Sequence, residues 1–65
     1  IEVIWQTETV LAHCVRATEG GRDIWIPKAQ CEVEPIDGGM FHALTRGCLA
    51  TLTAPEALLI EKGLV

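Results

Sequence analysis

The sequence predicts an α+β, mainly β fold: a small antiparallel sheet closed by a short C-terminal helix. Three observations predict it. Apolar and β-branched runs recur at short intervals from Ile1 onward and read as strands. A Gly20-Gly21 pair lies between two of these runs, where glycine takes the positive φ of a hairpin without steric cost. Near the end, Pro55 and Glu56 mark a helix start and Gly63 a stop. The runs supply three to five strands, arranged as a small antiparallel sheet or an SH3-like partial barrel.

Taken in order, Ile1 to Trp5 is a short strand, with Val3 and Trp5 on one face and Ile4 on the other. Gln6 to Thr9 is polar and reads as a bend or an exposed stretch. Val10 to Ala17 alternates, placing Val10, Ala12 and Cys14 on one side and Leu11, His13 and Val15 on the other. Both sides are largely apolar, as expected of a strand covered twice. Thr18 to Asp23 forms the hairpin turn. Ile24 to Glu34 reads as one half-buried strand, with Trp25, Pro27, Ala29, Cys31 and Val33 inward and Lys28, Gln30, Glu32 and Glu34 outward. Pro27 lacks an N–H, so this strand is expected at an edge or bulged there.

Pro35 to Gly39 is a second turn. Met40 to Leu44 fits strand and irregular coil equally well. Arg46 to Leu52 is a closing strand, with Cys48, Ala50 and Leu52 opposed to Leu49 and Thr51. Thr53 is placed to cap the helix, which runs from about Pro55 to Lys62. Roughly two turns do not persist alone in water, so this helix must dock on the sheet. Around its axis Ala57, Leu58 and Glu61 share one side, with Leu59 and Ile60 roughly opposite. If the first side packs inward, Leu59 and Ile60 are left as an interface, unless the C-terminal Leu64-Val65 wraps back and covers them.

The 65 residues make one domain, 1–65, with no repeat, linker or low-complexity segment. A chain this short hides only about 60% of its unfolded surface, and domains of this size lean on a staple, a metal or a partner. With 49% hydrophobic and 22% charged residues, the chain falls outside the disordered class. It also carries more apolar surface than so small a globule readily hides, which predicts a homo-oligomer or an unknown protein partner. The net charge of -4, with five basic residues scattered among nine acidic ones, argues against nucleic acid as a ligand. Only Arg16, Arg22 and Lys28 flank one hairpin, and they supply the alternative reading: contacts to single-stranded nucleic acid beside a stacking tryptophan. No apolar run approaches the length of a bilayer span. The chain opens on Ile1 rather than Met, and Ile1 to Trp5 lack the basic and long apolar regions of a signal peptide. Cys14, Cys31 and Cys48 are odd in number and form no CxxC pair, so reduced thiols in a cytoplasmic protein are expected.

The residue types of catalysis occur without its patterns. His13 adjoins Cys14, but neighbours on a strand point to opposite faces, and Cys14 reads as a core thiol. Cys14, Cys31, His42 and Cys48 are zinc-ligand types without the close pairs that structural zinc sites draw on. A Cys14–Cys31 disulfide between adjacent strands is a comparably minor reading. Neither Gly20-Gly21 nor Gly38-Gly39 leads a strand into a helix as a phosphate cradle does. Glu32 and Glu34 share a face with ordinary strand alternation. The expectation is no catalytic residue, no metal and no cofactor. The interface is placed on Leu59, Ile60, Trp25 and Lys28, although Trp25 is read first as the main core residue of so small a domain.

Several short motifs follow a recurring order: Trp5, Thr7-Glu8 and Val10-Leu11; then Trp25-Ile26-Pro27-Lys28-Ala29-Gln30; then Leu52-Thr53-Ala54-Pro55-Glu56-Ala57-Leu58 and Lys62-Gly63-Leu64. In this the chain resembles the small proteins of tailed phages and prophages that carry a WIPKSQ-like strand and a C-terminal PEWLAxxKGL-like helix. Ala29 stands where that pattern has Ser, and Ala57 where it has Trp. The resemblance implies a mobile-element origin and an intracellular setting, and names no activity.

Overall fold

A computed structural model describes residues 1–36 and 43–65. The elements are β1 (Glu2–Glu8), β2 (Ala12–Arg16), β3 (Ile24–Pro27), a 3₁₀ turn η1 (Lys28–Gln30), β4 (Glu32–Pro35), β5 (Leu49–Thr53) and α1 (Glu56–Glu61). The strands form one open antiparallel sheet in the order β3-β2-β1-β5-β4. The mainly β fold closed by a short helix is therefore the one expected.

The link between β3 and β4 shapes this sheet. These strands are its two edges, yet only η1 and Cys31 separate them. Five flat strands would hold the edges roughly 19 Å apart, at about 4.8 Å per strand. A 3₁₀ turn rises only about 2 Å per residue, so the link falls short of that span and the sheet must curl around its inner face. That face carries Val3 and Trp5 of β1, Val15 of β2, Ile24 and Ile26 of β3, and Ala50 and Leu52 of β5. Leu59 of α1 closes the cluster, and Leu58 and Leu64 pack around it. Val15, Ile26 and Ala50 are wholly buried, and each buried Ile or Val contributes about 1.5–3 kcal/mol.

The closing strand expected from Arg46 begins only at Leu49, after a turn at Arg46 and Gly47, and four further local expectations are corrected. Gln6 to Thr9 is not a bend: β1 continues to Glu8, and Gln6 is the extra residue of a bulge between the Trp5–Val15 and Thr7–Cys14 pairs. Gln6 is buried despite its polarity. Val10 and Leu11 precede β2 rather than open it. Ile24 to Glu34 is not one strand, because η1 interrupts it. Trp25 consequently faces outward at 45% exposure, while Ile24 and Ile26 are buried. The turn resets the alternation so that Val33 again packs inward on β4.

The helix supplies the fourth correction. Pro55, not Thr53, is the N-cap residue, and no side chain caps the helix start. Of the two candidate interface residues, Leu59 is buried, as in the reading in which the tail wraps back, and Ile60 stays outside at 57% exposure. The reason lies at the C-terminus. Gly63 adopts φ +77, its N–H donates to the Ile60 carbonyl, and the Leu64 N–H donates to the Leu59 carbonyl at 2.9 Å. This is the paired bonding of a Schellman stop, which brings the residue after glycine against the one five positions back. Leu64 thus turns back toward Leu59, and both join the core.

The other turns follow their glycines. The Gly21 N–H donates to the Thr18 carbonyl at 2.9 Å while Gly20 takes φ +79, the third-position geometry of a type II turn. The turn expected over Pro35 to Gly39 and the stretch Met40 to Leu44 lie largely outside the described residues.

Gly63→Ala is expected to destabilise the domain by about 1–2 kcal/mol, the cost of a left-handed backbone at a residue with a Cβ. The added methyl would also meet the Arg22 guanidinium at 3.1 Å. Urea unfolding followed by tryptophan fluorescence measures the change; an unaltered midpoint would refute the role given to this stop.

Candidate functional site

The least expected surface is the tip joining β1 to β2. The Thr9 N–H donates to the Ala12 carbonyl at 2.8 Å. Thr9 Oγ1 in turn accepts from the Leu11 N–H at 3.3 Å and the Ala12 N–H at 3.1 Å. From outside the hairpin, the Lys28 N–H donates to the Leu11 carbonyl at 2.8 Å. Tight turns usually rely on Gly, Asn or Asp. Here one threonine hydroxyl substitutes for them, which frees Val10 and Leu11 to occupy the tip. They stand 89% and 77% exposed.

The apolar surface continues along β3. Pro27 pairs with Ala12, and Trp25 pairs with Cys14. Pro27 and Trp25 share the outer face of the sheet and are both exposed. Cys14 is buried on that same face.

On the inner face, the base of the tip is polar. Glu8 pairs with His13 across β1 and β2, and the Lys28 ammonium is ion-paired to the Glu8 carboxylate. The Trp5 indole Nε1–H donates to His13 Nδ1 at 3.1 Å, so Nδ1 must be unprotonated and the neutral ring carries its proton on Nε2. Desolvation pushes the His13 pKa below its ordinary 6.5; the Glu8 carboxylate opposes this and Lys28 adds to it. The hydrogen bond from Lys28 holds the Glu8 carboxyl below the usual carboxylate range.

The other expected site residues scatter. Leu59 belongs to the core and Ile60 is exposed on α1. Arg16 is ion-paired to Asp23 at 2.7 Å, and Arg22 approaches Gly63 beyond the helix. Lys28 lies past the Ala12–Pro27 end of the β2–β3 ladder, whereas Arg16 and Arg22 lie past its Val15–Ile24 end. The three cations therefore form no continuous stripe. Exposed ion pairs of this kind contribute about 0–1 kcal/mol each.

All three cysteines are free thiols. Cys14 lies on the outer face of β2, while Cys31 packs against the core just before β4, so no disulfide joins them. Burial pushes the Cys14 thiol pKa up, as does the nearby Asp23 carboxylate, and burial alone raises that of Cys31. Both sulfurs are thus held as thiols, the less nucleophilic form. Among the described residues no three His, Cys, Asp or Glu side chains gather as a metal site; His42 lies outside them. A shallow groove of about 680 Å³ runs along η1 and the β5–α1 junction, past Lys28, Gln30, Cys31, Thr53 and Pro55. No helix among the described residues is long and apolar enough to cross a membrane.

Sequence reasoning placed Trp25 and Lys28 at an interface and missed Val10 and Leu11, which it took into a strand. The available signal was Thr9, whose hydroxyl can close a turn two or three residues ahead.

Thr9→Val keeps the shape and removes the acceptor. It is expected to cost about 1 kcal/mol and to raise amide exchange at Leu11 and Ala12. Unchanged exchange at both amides would show that the hydroxyl does not hold the tip. Set against protein-family models, curated proteins and solved structures, the chain matches none.

Proposed function

We propose that this chain is a non-enzymatic binding module of phage or mobile-element origin, acting in the cytoplasm through protein–protein contacts and associating with a second copy of itself through the β1–β2 tip. The observation that carries this reading is the pair Val10 and Leu11, 89% and 77% exposed on a turn whose backbone is already hydrogen-bonded. Withdrawing a Val or Leu side chain from water contributes about 1.5–3 kcal/mol, and a preordered tip loses little further freedom on docking. Trp25 and Pro27 extend the apolar centre, and the Glu8–Lys28 pair supplies the polar rim typical of an interface. A standard interface covers roughly 800 Å² per partner, just under a fifth of the 4321 Å² exposed by this chain. The non-enzymatic reading is supported by the divergence of His13 and Cys14 to opposite faces and by the raised thiol pKa of Cys14.

Size-exclusion chromatography with light scattering tests the association. The native chain is expected to gain mass as concentration rises, and Leu11→Asp, at an exposed position, to remain monomeric with an unchanged circular dichroism spectrum. A strict monomer at millimolar concentration would overturn self-association.

The exposure of Trp25 also favours a second reading, binding of single-stranded nucleic acid with the indole stacked on a base. Its cations Arg16 and Lys28 are engaged by Asp23 and Glu8, which ranks it lower. Fluorescence titration with an oligonucleotide at low salt should quench Trp25 if it holds, with the effect weakening as salt rises.

A further inference from the structure

We infer that His13 is a proton-operated latch at the base of the tip: protonation at Nδ1 breaks its bond with the Trp5 indole, draws Glu8 away from Lys28 and loosens the turn that presents Val10 and Leu11. The inference rests on the tip being the docking surface, and it concerns how that surface is regulated.

The latch follows from which atoms face one another. Trp5 Nε1 only donates, and His13 Nδ1 accepts from it at 3.1 Å. A proton added at Nδ1 would set two donors against each other, so the contact must open. The new imidazolium then has a carboxylate directly across the ladder, because Glu8 is the strand partner of His13. Glu8 is at present held by Lys28. Among the described residues, β3 places the apolar Ile26 opposite the ring, and Glu8 of β1 and Lys28 of η1 are the charged groups that act on its titration.

Lys28 is what couples this exchange to the tip. Its backbone N–H holds the Leu11 carbonyl, after the turn, and its ammonium holds Glu8, before the turn. One residue thus clamps both legs of the hairpin, and transfer of Glu8 to a charged His13 releases one of them. Desolvation and Lys28 favour the neutral ring in the folded chain. Because the folded pKa lies below the unfolded value near 6.5, the stabilisation is complete above that pH. It is lost as pH falls from there to the folded pKa.

Nuclear magnetic resonance of the ¹⁵N-labelled full chain between pH 7.5 and 5 tests the latch, with protection factors used so that intrinsic exchange is removed. The Trp5 indole resonance is expected to shift with a midpoint below 6.5. Protection at Leu11 and Ala12 should fall about three- to fivefold, the scale of one exposed ion pair. His13→Gln should leave both flat across the range. Lys28→Gln should lower tip protection already at pH 7.5, a comparison that stands even if the His13 variant fails to fold. A titrating His13 with no change at the Trp5 indole, or with constant protection at Leu11 and Ala12, would overturn the latch. Light scattering at the same pH values separates the two readings. A chain that is monomeric throughout but whose tip responds to pH sinks the self-association and keeps the latch. A dimer with a flat tip response does the reverse.

Discussion

A link of four residues, Lys28 to Cys31, has to reach from one edge of a five-stranded sheet to the other. That reach is possible only if the sheet curls, and the curl determines which face becomes the interior. Once the inner face is concave, a single short helix suffices to close it. Leu59, with Leu58 and Leu64 packed against the same cluster, completes a core of seven further buried side chains from four strands. A helix this short has no independent stability; its order derives from that contact and from the Schellman stop at Gly63.

The same link determines what is left outside. By interrupting the strand alternation after Pro27, it permits Ile24 and Ile26 to face inward before it and Val33 after it, and it turns Trp25 to the outer surface. It also brings Lys28 over the β1–β2 hairpin, where backbone and side chain engage opposite legs of one turn. The two edges of the sheet are short and carry Pro27 on one side and Glu32, Glu34 and Pro35 on the other. Proline and charge at an edge discourage strand-to-strand pairing with another chain.

The tip joins two features that seldom coincide. Thr9 and Lys28 hydrogen-bond the backbone of Leu11 and Ala12, and the Val10 and Leu11 side chains are aliphatic and exposed. A turn built on glycine, such as that at Gly20, presents little to a partner. A turn closed by a hydroxyl one residue earlier can carry Val and Leu at its apex. The polar base beneath, where Trp5, His13, Glu8 and Lys28 meet, places the His13 imidazole against the strands that support the apex.

Much of the architecture was legible along the chain. The β5 alternation of Ala50 and Leu52 against Leu49 and Thr51, the Gly20 turn, and the helix between Pro55 and Gly63 all follow from contacts over a few residues. The bulge at Gln6, the reversal of Trp25 and the burial of Leu59 do not. Each depends on where a distant segment lies: β2 for the bulge, the far sheet edge for η1, and the returning tail for Leu59. The candidate site divides in the same way. Trp25 and Lys28 were visible as residue types, whereas Val10 and Leu11 looked like strand residues until the pairing of Glu8 with His13 left them at the apex. Local propensity and turn chemistry, acting over a few residues, were determined by the amino-acid order alone. Which face of each strand turned inward was decided by the tertiary structure, because a period of two residues is inverted by any one-residue shift and only long-range packing sets its phase.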